Sequence, residues 1–254
     1  MKLQGHDDLR ERRAGEAIRV LRKAGHKFGA FLLDLGCGPG YLSKKFLETG
    51  SHVIGTDISF TNLMTAKKVA GDCNFIQCDG AYLPFKDSVF STIICNDVLE
   101  HTPYSNAYPL IRESGRVLGF DGKIYLSVMN RWEILEPHWL IPFFTWMPRS
   151  LWDFMFPILA KTSPRAKNFT PKFRYSENYF PYTRSMLKNL LKELDFHDIT
   201  NFYATEKISD PNYIGSRFAR FTVKVLKALK LTPIAFALAQ RMSVLLFLCS
   251  RKSI

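Results

Sequence analysis

The sequence predicts an α/β domain: a seven-stranded, mostly parallel sheet with helices on both faces, and an aromatic- and proline-rich helical insertion after the fifth strand. Three observations predict it. Runs such as FLLDL (31–35) and FSTIIC (90–95) are short and apolar enough for strands buried on both faces. They alternate with segments of helical periodicity, which implies parallel strands joined by right-handed crossovers. The chain has 254 residues, 46% of them hydrophobic and 23% charged, which suits one large α/β domain with a sizeable core.

The elements follow in order. Residues 8–24 form a basic amphipathic helix, with Leu9, Ala14, Ala17, Ile18 and Leu21 near one face. Ala30–Leu35 is the first strand, ending at an Asp and a glycine cluster. Pro39–Thr49 is helical, with proline in the first turn and Gly50 as a stop. Ser51–Asp57 is a strand. Ser59 caps a helix through Ala70, which Gly71 ends. Strands at Cys73–Cys78 and Phe90–Cys95, a helix at Ala107–Leu118 and a strand at Lys123–Val128 complete this core.

At Asn130 the composition changes. All four tryptophans and seven of the thirteen prolines lie between 131 and 181, so no long helix can form there. Residues 183–194 then give an amphipathic helix, His197–Ala204 a sixth strand, Arg217–Lys230 a basic helix, and Ser243–Cys249 an antiparallel edge strand. The expectation is a single domain: an N-terminal basic helix (1–29), a ligand-binding core (30–130), an insertion (131–181) and C-terminal helices and last strands (182–254).

The net charge of +12 is uneven: +4 over 1–30, −2 over 31–130, +3 over 131–181, −1 over 182–214 and +8 over 215–254. Basic ends attract nucleic acid, anionic lipid or a phosphorylated substrate, and charge alone does not choose among them. Five cysteines, an odd count with no CxxC, read as free thiols and point to a reducing, cytoplasmic compartment. The N-terminus has no apolar stretch of the signal-peptide kind. The most apolar window, Leu231–Ser250, carries Arg241 at its middle, which costs about 2.5–3.5 kcal/mol on an insertion scale and argues against spanning.

The strongest local signal is LLDLGCGPG (32–40). Glycines 36, 38 and 40 lie between a strand and a helix, where the backbone can turn tightly and a ligand can approach the helix N-terminus. A dinucleotide fingerprint needs glycine where Tyr41 stands. Asp34 is ill placed beside a pyrophosphate and suits a cationic group. Asp57 ends the second strand, 21 residues after Gly36, where a carboxylate accepts both hydroxyls of a ribose. Asp79, in CDGAYLPF, can accept from an exocyclic amine, with Ile58 and Ala81 flanking an adenine ring. A nucleoside bearing an amino acid satisfies all three carboxylates.

LLDLGCGPG, VIGTDIS, CDGAYLPF and FSTIICNDVLEH resemble the successive motifs of class I S-adenosylmethionine-dependent methyltransferases, nearest the group with quinone-biosynthesis and small-molecule enzymes. The resemblance covers 30–130 well and 183–204 loosely, and leaves 131–181 without an assigned substrate. It implies a Rossmann-like fold and S-adenosylmethionine as cofactor. Gly36, Gly38 and Gly40 then line the methionine part, with Asp34 near its amino group. Asp57 holds the ribose, Ile58 packs on adenine, Asp79 and Gly80 contact the adenine edge, and Asn96 lies near the sulfonium. Cys37, Cys73, Cys78 and Cys95 are read as small buried hydrophobes.

Methyl transfer from a sulfonium is an in-line displacement that needs the nucleophile held at near-attack distance, with a base if the nucleophile is a hydroxyl or an acidic carbon. His101 is the leading base candidate and Asp97 the second; the competing reading has His101 merely packing at a helix start. Enzymes that methylate base amines resemble an Asn/Asp-Pro-Pro-aromatic pattern where this chain has Asn96-Asp97-Val98-Leu99, so a nucleic acid partner is disfavoured, and no zinc-ligand spacing exists. The insertion carries thirteen aromatics, which form a lid core or an apolar surface flanked by Arg131, Arg149, Lys161, Arg165 and Lys167. The expected reaction is methylation of a hydroxyl, or a carbon, on a small apolar, lipid or lipid-linked glycan acceptor, with peripheral contact to an anionic membrane surface. The alternatives are an RNA methyltransferase using its basic ends and a non-catalytic S-adenosylmethionine-binding scaffold.

Overall fold

A computed structural model describes residues 4–136, 138–163, 165, 174–198 and 245–251 of the chain. Seven strands form one sheet: β1 (Phe31–Leu35), β2 (His52–Asp57), β3 (Asn74–Gln77), β4 (Phe90–Asn96), β5 (Leu118–Val128), β6 (Phe196–Asp198) and β7 (Leu245–Arg251). Their order is β3-β2-β1-β4-β5-β7-β6. The first five pair in parallel, and β7 pairs antiparallel with both β5 and β6. The order reverses between β1 and β4. Open α/β sheets bind ligands at such a switch point, beyond the carboxyl ends of the strands.

Helices cover both faces, because the apolar strands need burial on each side. On one face lies α1 (Gln4–Lys23), whose Ala14, Ala17, Ile18 and Leu21 pack with Leu32, Val53, Ile94 and Tyr125. The other face holds α4 (Tyr104–Val117) and α7 (Arg184–Glu193), where Leu110, Ile111, Leu187 and Leu191 join Leu33, Ile93 and Leu126. α2 (Tyr41–Phe46) and α3 (Phe60–Val69) follow β1 and β2. The Ser59 side chain accepts from the Asn62 amide and caps α3, as its position predicts.

Some boundaries differ from expectation. The helix expected over Pro39–Thr49 is split, because after α2 the chain tightens to a 3-10 turn at Leu47–Thr49. β5 begins at Leu118 rather than Lys123; Gly119, Asp121 and Gly122 look like a turn in sequence but lie in the extended strand. The sixth strand is described as far as Asp198, and the helix expected at 217–230 lies outside the described residues.

The insertion leaves after β5 and returns beside its own start. Asn130 bridges to Tyr182, the Arg131 amide donates to the Tyr182 carbonyl at 2.9 Å, and the Tyr182 amide donates to the Met129 carbonyl at 3.0 Å. Within it, α5 (Trp152–Ala160) and the single turn α6 (Tyr175–Asn178) build a separate core from Met129, Ile141, Phe144, Trp152, Phe156 and Tyr175. Among the described residues no helix is long and apolar enough to cross a membrane.

Candidate active site

The glycine loop after β1 is fixed from both sides. The Cys37 amide donates to the Thr56 carbonyl at 2.9 Å, and the Gly38 amide donates to Asp57 Oδ2 at 2.8 Å. Gly40 sits at φ +80°, and a Cβ there would lie 2.8 Å from the Cβ of Ala66 and 2.9 Å from its Cα, so only glycine lets the loop close on α3. Asp57 Oδ1 accepts from the Ser59 amide at 2.8 Å and Asn62 Nδ2 at 3.3 Å. This carboxylate therefore braces the loop, and its remaining lone pairs stay at the strand end.

A cavity of about 460 Å³ opens where β1 and β4 diverge. Asp34, Gly36, Cys37 and Gly38 form its floor, and Tyr41 and Leu42 of α2 one side. Asn96, Asp97, Glu100 and His101, after β4, form the other side. Arg13 of α1 closes it from above by an ion pair with Asp97. The insertion supplies the far wall through Met129, His138, Trp139, Arg165 and Tyr179.

Of the residues expected at the site, Asp34, Gly36, Gly38, Asn96, Asp97 and His101 line this cavity. Gly40 and Asp57 stand behind the loop. Ile58, 70% exposed, and Asp79 with Gly80 lie outside it on the rim formed by the ends of β2 and β3. Asp79 Oδ1 accepts from the Ala81 amide at 2.9 Å, a turn-stabilising contact. The sequence singled out none of Arg13, Glu100, Glu136 and His138 as site residues. A carboxylate two residues from a histidine was the only local signal for the dyad of Glu136 and His138.

Burial sets the electrostatics. Asp34 is 2% exposed and accepts from Ser43 Oγ at 2.5 Å; desolvation pushes its pKa up to about 7, with the nearby Asp57 adding to the rise. Burial also drives Glu100 well above the usual carboxylate range, assisted by Asp97, and its Oε2 has no hydrogen-bond partner. His101 is held below its ordinary value, first by desolvation and then by His138. Its Nδ1 lies 3.2 Å from the Asn178 carbonyl, which can only accept, so Nδ1 carries the proton and Nε2 the lone pair. The thiol of Cys37 is pushed up by burial and stays a small apolar group.

Residues 33–126 match a family model described as a methyltransferase domain. Over these residues the chain carries a class I S-adenosylmethionine-dependent methyltransferase domain. A relative of this methyltransferase is the ubiquinone biosynthesis O-methyltransferase of Aliivibrio fischeri strain ES114, 24% identical over 209 residues, or 77% of this chain and 80% of the relative. Solved structures of like fold include a SAM dependent methyltransferase from Archaeoglobus fulgidus, with TM-score 0.52 and 15% identity over 92% of this chain and 90% of that one. Another is magnesium protoporphyrin IX methyltransferase from Synechocystis PCC 6803 with bound SAH, with TM-score 0.51 and 21% identity over 74% of this chain and 73% of that one.

The methyltransferase's own residues fit S-adenosylmethionine. A buried carboxylate at the cavity floor, raised by desolvation, is the partner an ammonium group needs. The glycine loop leaves its backbone open to close approach, and Asp57 and Asp79 stand at adjacent strand ends where a ribose and a base edge would meet them.

Proposed function

We propose that this methyltransferase methylates a hydroxyl on a small, apolar, aromatic acceptor, including one carrying a lipid tail. One observation carries the reading: the cavity is continuous from Asp34, Gly36 and Gly38 to His101, His138, Trp139 and Tyr179. Donor and acceptor therefore share one cavity, and the acceptor end is walled by π surfaces. The O-methyl chemistry in the name of the Aliivibrio relative favours a hydroxyl over a carbon.

In this reading Asp34 holds the ammonium group of S-adenosylmethionine, Asp57 its ribose, and Ile58, Asp79 and Gly80 its adenine. Bound there, it supplies a methyl group already activated by the positive sulfur. Asn96 and Asp97 stand near that sulfur, with Asp97 kept in place by Arg13 and by Ser127 Oγ, which donates to it at 3.3 Å. His101, neutral and with its Nε2 lone pair available, stands at the acceptor end beside His138, and one of these two imidazoles accepts the acceptor's O–H. Trp139 and Tyr179 exclude water and pack on the acceptor ring.

A membrane-facing role is the second reading, favoured by exposed Trp132, Phe143, Trp146, Phe154 and Ile158 on the insertion, with Lys161 and Arg165 also exposed. Incubation with methyl-labelled donor and an alkylated catechol, a glycan fraction and an RNA fraction tests the acceptor. Label in the methyl ether of the catechol supports the proposal; label in RNA, or in none of the three, refutes it. Flotation with anionic vesicles tests the second reading, and protein left at the bottom of the gradient rejects it.

A further inference from the structure

Two imidazoles meet at the acceptor end of the cavity. The rings of His101 and His138 lie 5.3 Å apart and nearly perpendicular, and Tyr179 flanks both, at 5.0 and 4.5 Å. What stands behind each ring differs. His101 Nδ1 faces a main-chain carbonyl, whereas His138 Nδ1 lies 2.8 Å from Glu136 Oε1. Glu136 is 1% exposed and clamped in place. Its Oε1 also accepts from the His138 amide at 3.0 Å, and its Oε2 accepts from the Trp139 amide at 2.5 Å.

A base in a methyl transfer must become positive as the reaction proceeds. On His138 that charge forms against a buried anion already aligned for it; on His101 it would form against a carbonyl dipole alone. Two imidazoliums 5.3 Å apart would repel, so only one ring of the pair can take up the acceptor's proton, and His138 is the ring with a carboxylate behind it.

We propose that His138, oriented and charge-stabilised by Glu136, is the general base that takes the acceptor proton, while His101 stays neutral beside it and walls the acceptor end of the cavity. The proposal rests on the hydroxyl-acceptor reading above. The acceptor O–H bond breaks and its proton passes to His138 Nε2. The freed oxygen pair forms the O–CH3 bond, and the C–S bond breaks with its electrons going to sulfur, leaving a neutral thioether. The positive charge moves from sulfur to the imidazole, where Glu136 balances it, and the proton then leaves to solvent.

The test uses the full chain, methyl-labelled S-adenosylmethionine and two probe acceptors, catechol and 4-nitrocatechol, the second already ionised in mildly alkaline buffer. His138→Gln should lower kcat on catechol by about 100-fold or more while KM stays near the wild-type value. Glu136→Gln should lower it by about tenfold or more. On 4-nitrocatechol, which needs no base, His138→Gln should run within about threefold of wild type, far inside the loss a missing base causes. Binding of S-adenosylhomocysteine by His138→Gln should be unchanged, which keeps the test valid if Glu136→Gln fails to fold. Equal losses on both acceptors, a change in KM alone, or the selective loss appearing in His101→Gln instead would overturn the proposal. Wild-type protein inactive on both probes would refute the acceptor reading and this inference together.

Discussion

Asp34→Asn should strengthen the ligand-free protein and weaken its hold on ligand at the same time. The carboxyl lies at the end of β1, 2% exposed, and its pKa rises from 3.8 in the unfolded chain to about 7 in the fold. A folded pKa above the unfolded one means the folded state binds the extra proton, so stability falls as pH rises from about 4 to about 7 and stays low above that. The span of about three units corresponds to about 4 kcal/mol at most. Relaxation around the group reduces this, and about 1–4 kcal/mol is the expected gain for the variant's neutral amide at mildly alkaline pH.

The ligand should invert that result. With an ammonium beside it the wild-type carboxylate is paired, and removing one partner of a buried pair costs about 2–5 kcal/mol, or about 30-fold or more in affinity. Thermal melts with and without S-adenosylhomocysteine read both signs in one experiment. Calorimetry in two buffers of different ionisation enthalpy should show the wild type releasing up to one proton on binding below pH about 7, and the variant none. A ligand-free variant less stable than wild type, or affinity that survives the change, would refute the assignment of Asp34 to the ammonium.

Other substitutions test other parts. Gly40→Ala places a Cβ 2.8 Å from the Cβ of Ala66 at φ +80°, and should cost more than about 2 kcal/mol in urea unfolding while abolishing ligand binding. His26 is buried, lies 2.7 Å from Thr92 Oγ1, and has its pKa lowered from 6.5 to about 4, chiefly by burial. Stability should therefore be lost as pH falls from 6.5 toward about 4, and His26→Gln should flatten that limb of the urea midpoint against pH. Trp152→Ala empties the centre of the insertion core and should cost about 3–5 kcal/mol. It should depress acceptor turnover more than S-adenosylhomocysteine affinity, measured side by side. Arg116 donates to the Leu83 and Phe85 carbonyls at 2.9 and 2.8 Å and pairs with Asp87 and Glu113, so Arg116→Ala should destabilise by about 2 kcal/mol and loosen the loop after Asp79 in hydrogen exchange.

The donor half of the site was legible because topology does most of the placing. Once β1, β2 and β4 are parallel and adjacent, residues at their carboxyl ends must converge, so the gathering of Asp34, Asp57 and Asn96 at one end of the sheet could be read from their positions in the chain. The acceptor half was not, because no local period encodes it. Composition told that 131–181 could not be one helix, but the approach of His138 to His101 depends on how the insertion folds back. The Arg13 pair with Asp97 was hidden for the same reason: it joins residues 84 apart, and an amphipathic pattern tells only which face of α1 is buried. Glu100 was underread because a buried carboxyl is rare, and sequence offers no sign of burial for a charged residue beside a helix start.

The stem at Asn130 and Tyr182 has an evolutionary corollary. An excursion that exits and re-enters at neighbouring backbone positions can be lengthened, trimmed or rewritten without shifting the register of any strand. Under the proposed function, donor recognition and acceptor choice would then be separately heritable traits within one polypeptide. Homologues could diverge in what they alkylate while keeping an unchanged nucleoside cradle, and grafting residues 131–181 between them would be a natural engineering route.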